Sequence, residues 1–255
     1  MAVSFFDMLK SILFGSANTP ADGEDAAESL LHVGWQQREE SFYPGMFGRA
    51  DGPQLLLTED MFRKEFARTA VHPFWLHHGI ITFPPTDTRQ TWLYATSGMS
   101  NAFDSEEDEW SGLGVEFILE TSLRESWAAE KLARLMVFNL LIAAGHYHDQ
   151  SDLTYGSIVR LDVPINGTPT DGTPKDSALM DGVKGCCLKN FIALPPTGTA
   201  RDFELVTGKV ELLQMVAISN AEADFAEAEG HEALAEKLAE AGQLDSVDAD
   251  RVSVV

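Results

Sequence analysis

The chain has 255 residues, 44% of them hydrophobic, enough for one large core or two small ones. Its 40 acidic residues against 18 basic ones give a formal charge of −22. Such a surface disfavours nucleic acid and anionic membrane as partners, favours solubility, and speeds encounter with a basic protein.

Near the start, Phe5, Phe6, Met8, Leu9, Ile12, Leu13 and Phe14 suit a short amphipathic helix. The stretch is too short to span a bilayer and lacks the basic leader of a signal peptide. Docking on the main domain is the expectation, with residues 15–25 as a linker. Residues 1–29 are thus read as a helix and linker, 30–241 as the domain, and 242–255 as a polar tail that frays.

A helix is predicted over 24–40, with Ala27, Leu30, Leu31, Gly34 and Trp35 near one stripe, and another from Thr58 onward with Met61, Phe62 and Phe66 at helical spacing. Residues 75–83 read as a strand stopped by Pro84 and Pro85, and 92–97 as a second ended by Gly98. Next, Leu113, Val115, Phe117 and Leu119 alternate with Gly114, Glu116, Ile118 and Glu120, predicting a strand with one buried and one largely polar face. Ser126 reads as the cap of a helix over 127–144, apolar almost throughout from Leu135 except for Asn139, and so expected to be buried centrally on a sheet. Alternation predicts a strand over 159–165, then a loop over 166–175, and strands over 187–194 and 210–218. An acidic helix is predicted over 221–241, with Phe225, Leu234, Leu238 and Ala241 inward. Strands and helices mix without regular βαβ alternation, which indicates an α+β fold with a mixed, mainly antiparallel sheet and packed helices.

Several segments together resemble the suppressor-of-fused (SUFU) domain of bacteria. They are Phe83-Pro84-Pro85 followed by Trp92-Leu93-Tyr94-Ala95-Thr96-Ser97-Gly98-Met99-Ser100-Asn101; Gly112-Leu113-Gly114-Val115-Glu116-Phe117; the helix opening at Trp127 with Leu132 and Ala133; and Leu194-Pro195-Pro196, then Val210-Glu211-Leu212-Leu213-Gln214-Met215, then the acidic helix with Phe225. Their order and spacing agree over residues 30–241. The resemblance implies a single-domain, non-catalytic protein-binding module. The animal member is a scaffold that sequesters a transcription factor and grips a peptide partly by strand pairing; its second domain, which helps to clamp that peptide, has no room here. For bacterial members the resemblance implies an immunity, antitoxin-like role, and so a toxin or another client as partner.

Individual residues offer little chemistry. His146 and His148, with His72 upstream, could ligate a metal in a hydrolase if they converged, but their spacing matches no zinc motif, and hydrogen-bonded loop histidines are expected. Cys186 and Cys187 are neighbours, cannot build a disulfide framework, and read as small core residues of a protein in a reducing cytoplasm. Glu116 and Glu120 share a strand face and could pair as acid and base; a solvated face with ion pairs to Arg124 or Lys131 is expected instead. No nucleophile elbow, phosphate loop or dinucleotide fingerprint occurs, so no cofactor is expected. The run Asp104, Glu106, Glu107, Asp108 and Glu109, followed by Trp110, is the candidate binding site: acids to steer a basic partner, a tryptophan to anchor it. A scaffold in a larger bacterial assembly is a further reading.

Overall fold

A computed structural model describes residues 30–68, 70–102, 109–161, 163–167 and 186–255. The N-terminal helix and linker, the acids 104–108 and most of the loop 166–175 lie outside them.

The first element, α1, runs over residues 30–47, beyond the expected end at residue 40. Its middle, Gln37–Phe42, is a π-helix in which Tyr43 donates its N–H to the Arg38 carbonyl, five residues back. Pro44 follows at once, and having no N–H it cannot hold the tighter α spacing there. The extra residue shifts the inward stripe to Gly34, Arg38, Tyr43 and Phe47 and leaves Trp35, expected inward, stacked on His32 at the surface.

Eight strands form one sheet: β1 (Leu55–Leu56), β2 (Gly79–Phe83), β3 (Trp92–Ser97), β4 (Trp110–Thr121), β5 (Ile158–Arg160), β6 (Leu188–Leu194), β7 (Asp202–Leu205) and β8 (Gly208–Ser219). Their order is β1-β2-β3-β4-β8-β6-β5, with β7 hairpinned onto β8. All pairs are antiparallel except the central β4–β8 pair, which is parallel. The strand expected from residue 75 begins only at Gly79, because Pro73–His77 coils into a 3-10 turn. The strand expected over 159–165 ends at Arg160, and β7 had no clear alternation to announce it.

Helix α2 (Glu59–Phe66) and helix α3 (Ser126–Ala143) cover one face. The expected central burial of α3 is found, with Ser126 inside the helix and Glu125 at the cap position. Its one deeply buried polar residue, Asn139, accepts the Leu153 N–H at 3.0 Å and donates to the Met99 sulfur at 3.7 Å, so burial leaves neither end of its amide unmet. On the other face, α1 packs Tyr43 and Phe47 over Phe83, Leu93 and Ile118, while α4 (Asn220–Glu229) and α5 (His231–Glu240) cover Ile192, Val216 and Ile218. Both faces of β4 are therefore buried, against the expected polar face. The single acidic helix expected over 221–241 is two, broken at Gly230, and Ala241 is exposed.

The segment expected to fray is packed. Val247 bridges to Thr121 of β4, and Arg251 is buried against Glu222, with its guanidinium at 2.6 and 2.7 Å from the two carboxylate oxygens. Glu222 also closes a capping box with Ser219 at the start of α4.

Candidate interaction site

In sequence the acidic run lies between the turn that ends β3 and the start of β4 at Trp110. That turn is built on a buried ion pair. Glu116, on the face expected to be solvated, is wholly buried and accepts hydrogen bonds from Gly98 N–H (2.9 Å), Ser100 N–H (2.9 Å), Ser100 hydroxyl (2.7 Å) and Thr96 hydroxyl. Arg38 of α1 supplies the counter-charge at 3.9 Å and donates to Ser97, Ser100 and Asn101 at 2.8 to 3.0 Å. Tyr43 donates its hydroxyl to the Thr96 carbonyl at 2.6 Å, and burial, then the nearby Glu116, pushes its pKa well above the usual value.

Two glycines permit this packing. A Cβ on Gly98 (φ +140) would lie 2.4 Å from the His78 ring. One on Gly112 (φ +58) would lie 2.5 Å from the Asn101 carbonyl oxygen, so the return strand lies directly against the turn. Leu113 donates its N–H to Met99, and Ser111 donates its hydroxyl to Ser100. From the other side, Lys209 donates its N–H to the Glu109 carbonyl at 3.0 Å. The turn through Asn101 and the residues Glu109 to Leu113 are thus held together by β3, β4 and β8.

Of the candidate residues, Glu109 and Trp110 are described, and both are exposed, Trp110 by 38%. The indole lies over Gly114, and the Lys209 ammonium stands 5.5 Å from its centre. It is partly exposed rather than tucked into the core.

Glu120 does not join Glu116. Four residues of strand separate them by about 13 Å, and burial raises the Glu120 pKa while Thr91 hydrogen-bonds it and Arg89 stands nearby. Arg124 pairs with Asp51 instead. The histidines are dispersed in role: His72 accepts the Phe74 N–H at 3.3 Å as a cap, whereas His146 and His148 are exposed. Among the described residues no three of His, Cys, Asp and Glu are grouped as a metal would need. Cys186 is buried, which raises its thiol pKa; Cys187 is half-buried. No helix among the described residues is long and apolar enough to cross a membrane.

Sequence reasoning missed Arg38 and, having noted His78 beside His72 and His77, did not foresee its burial. His78 is buried with neither ring nitrogen hydrogen-bonded among the described residues, and burial, then the Arg38 charge, lowers its pKa to about 3. The available signal was the spacing of Gly34, Arg38, Tyr43 and Phe47, which becomes regular only if a π turn is assumed.

The fold is an α+β sheet with a parallel centre, a buried helix on one face and a polar turn tied to a strand glutamate, and comparisons with known proteins identify its family. The family model for the suppressor of fused protein (SUFU) matches residues 75–252, and the chain belongs to that family. No curated protein sequence matches it. Among solved structures, one of the Sufu–Fu complex superposes with a TM-score of 0.56 at 14% identity, covering 90% of this chain and 92% of that one. Drosophila Suppressor of Fused gives 0.53 at 15% identity over 77% of this chain, which spans 49% of the Drosophila chain. A SUFU homologue from Neisseria gonorrhoeae gives 0.51 at 19% identity, covering 92% and 98%. These likenesses show the fold.

Proposed function

We propose that this chain is a non-catalytic protein-binding module whose contact surface is the root of the acidic run, with Trp110 as anchor and Asp104, Glu106, Glu107, Asp108 and Glu109 as the steering charge. The observation that carries it is the exposed indole held between Gly114 and Lys209, beside a turn fixed by a buried ion pair. A rigid, half-exposed aromatic next to like charges is what a recognition surface needs: the ring packs against a partner with little entropy left to lose, and the acids raise its arrival rate. That a relative was solved as a Sufu–Fu complex supports a protein ligand. The net charge of −22 supports a basic one. In its sharpest form the module sequesters a toxin as an immunity protein in the cytoplasm.

A photo-crosslinking residue at position 110, with exposed Val252 as control, identifies the partner. Surface plasmon resonance then tests the roles. Neutralising the five acids lowers the association rate about tenfold at low salt and flattens its salt dependence. Trp110→Ala chiefly speeds dissociation. Unchanged on-rate and salt slope in the loop variant would remove the run from the binding surface.

A further inference from the structure

A pocket of about 290 Å³ opens where the end of α1, the loop between β2 and β3, and the loop after β6 meet β4. It shares no residue with the Trp110 site. Met46 and Phe47 of α1 and Leu93 of β3 give it an apolar wall. Leu93 stands opposite Glu120 in the β3–β4 register, so both side chains leave the sheet on one face, and Glu120 also lines the pocket. Glu120 is only 8% exposed. Its Oε2 accepts the Thr91 hydroxyl, whereas its Oε1 has no hydrogen-bond partner among the described residues. Asp245 adds a second carboxylate at the exposed rim, bonded to the Thr197 hydroxyl. Arg89, the one cation lining the pocket among the described residues, directs its Nε, Nη1 and Nη2 at the carbonyls of Thr91, Phe47 and Pro84, at 3.1, 3.2 and 2.7 Å. Neither acid has an ion-pair partner among the described residues. The lining stretches 86–93 and 198–199 lie wholly within those residues, and the further charged residue in them, Asp87, is acidic too.

We propose that this pocket binds a primary alkylammonium group, carried by a lysine side chain of a partner protein or by a free amine. The methylene stem leaves water against Met46, Phe47 and Leu93. The ammonium, a compact donor of three hydrogen bonds, meets the open Oε1 of Glu120, with Asp245 as a second charge at the mouth. The charge balance argues for a cation: two acids and one arginine leave the lining negative. Burial, and after it Asp245, raise the Glu120 pKa against the pull of Thr91 and Arg89, so an arriving cation stabilises the ionised carboxylate where it stands. An anion would meet that same carboxylate, and a neutral alcohol would leave its charge unmet. The inference goes beyond the Trp110 reading and does not depend on it.

The test titrates n-pentylamine into the isotopically labelled full chain and follows its backbone amide signals by NMR. Expected is saturable movement of the Leu93, Glu120 and Thr199 signals, absent with n-pentanol. Glu120→Gln keeps the shape, removes the charge and should weaken binding by about tenfold or more. Gly198→Phe should abolish it: a Cβ at this lining position meets nothing within 4 Å, so the ring enters the mouth without disturbing the fold. That variant decides the matter should Glu120→Gln fail to fold. Trp110→Ala should bind unchanged. Competition with a lysine capped at both its amino and carboxyl ends separates the sources: displacement of pentylamine assigns a partner's lysine, and none assigns a free amine. The proposal is overturned if pentanol binds as pentylamine does, if both pocket variants keep their affinity, if the moving signals lie outside the pocket, or if Trp110→Ala loses binding.

Discussion

Among the described residues two arginine–glutamate pairs are buried, and they are built differently. Glu222 and Arg251 meet directly, at 2.6 and 2.7 Å, with the Ser219 and Val254 N–H groups completing the carboxylate's shell. Glu116 and Arg38 stand 3.9 Å apart and communicate through the turn at Ser97 to Asn101, whose hydroxyls and peptide groups bond to one or the other. The direct pair ties a segment without helix or strand to the sheet and can open locally. The mediated pair is enclosed by β2, β3, β4 and α1 and cannot open without the fold. Burial of the same two charges therefore serves docking in one place and the shape of a turn in the other.

The largest expected effect follows from that enclosure. Glu116→Ala removes the wholly buried acid beside Arg38 and leaves Glu39, 3.8 Å away and partly exposed, as its remaining counter-charge; stripping a buried charge of its partner costs up to about 3–5 kcal/mol. Denaturant unfolding should show that loss, along with release of the turn. An effect under about 1 kcal/mol would mean that Glu39 and the hydroxyl shell satisfy Arg38. Arg251→Ala should cost less, about 2–3 kcal/mol, because residues 244–255 can swing out and hydrate Glu222. Faster amide exchange confined to that segment and α4 would confirm the local character; a global loss equal to that of Glu116→Ala would erase the distinction.

Acid separates the pairs further. His78, packed against Gly98 beside the mediated pair, has a folded pKa of about 3 against 6.5 unfolded. The unfolded state takes up that proton first, so stability falls as pH drops below about 6.5, by about 2 kcal/mol at pH 5. The slope between pH 7 and 5 should shrink in His78→Leu, what remains coming from groups such as His72 and His146, whose pKa burial also lowers. Burial alone would raise the Glu222 pKa, but Arg251 and two N–H donors override it and lower it below 4.5. Its contribution is complete above that value and lost only as pH falls through the folded pKa, so the direct pair survives at pH 5. The smallest effect is on the surface: Arg160→Ala, removing the exposed pairs with Asp224 and Glu227, should change stability by less than about 1 kcal/mol.

The sequence made legible whatever depends on apolar periodicity. The strand over 92–97 and the helix over 126–143 were readable because their burial is written in leucine, valine and alanine. Glu116 was misread for the same reason: a carboxylate on a strand signals water unless its partner is known, and the partner is 78 positions away across a π turn. Arg251 sits in a polar stretch whose docking has no local pattern. Of the candidate site, Trp110 was legible from its neighbours, whereas the frame that fixes it was not.

The span that matches the family model begins at Trp75, inside the 3-10 turn, and includes Glu116; Arg38 lies upstream of it. The start of the matched span therefore separates the two members of this ion pair. The matched span holds the acid and the turn that wraps it, and the arginine that faces the acid comes from a helix outside that span. A chain trimmed to residues 75–252 would lose both the arginine that faces Glu116 and the helix that covers it, so the stretch matched by sequence is smaller than the stretch that completes this pair.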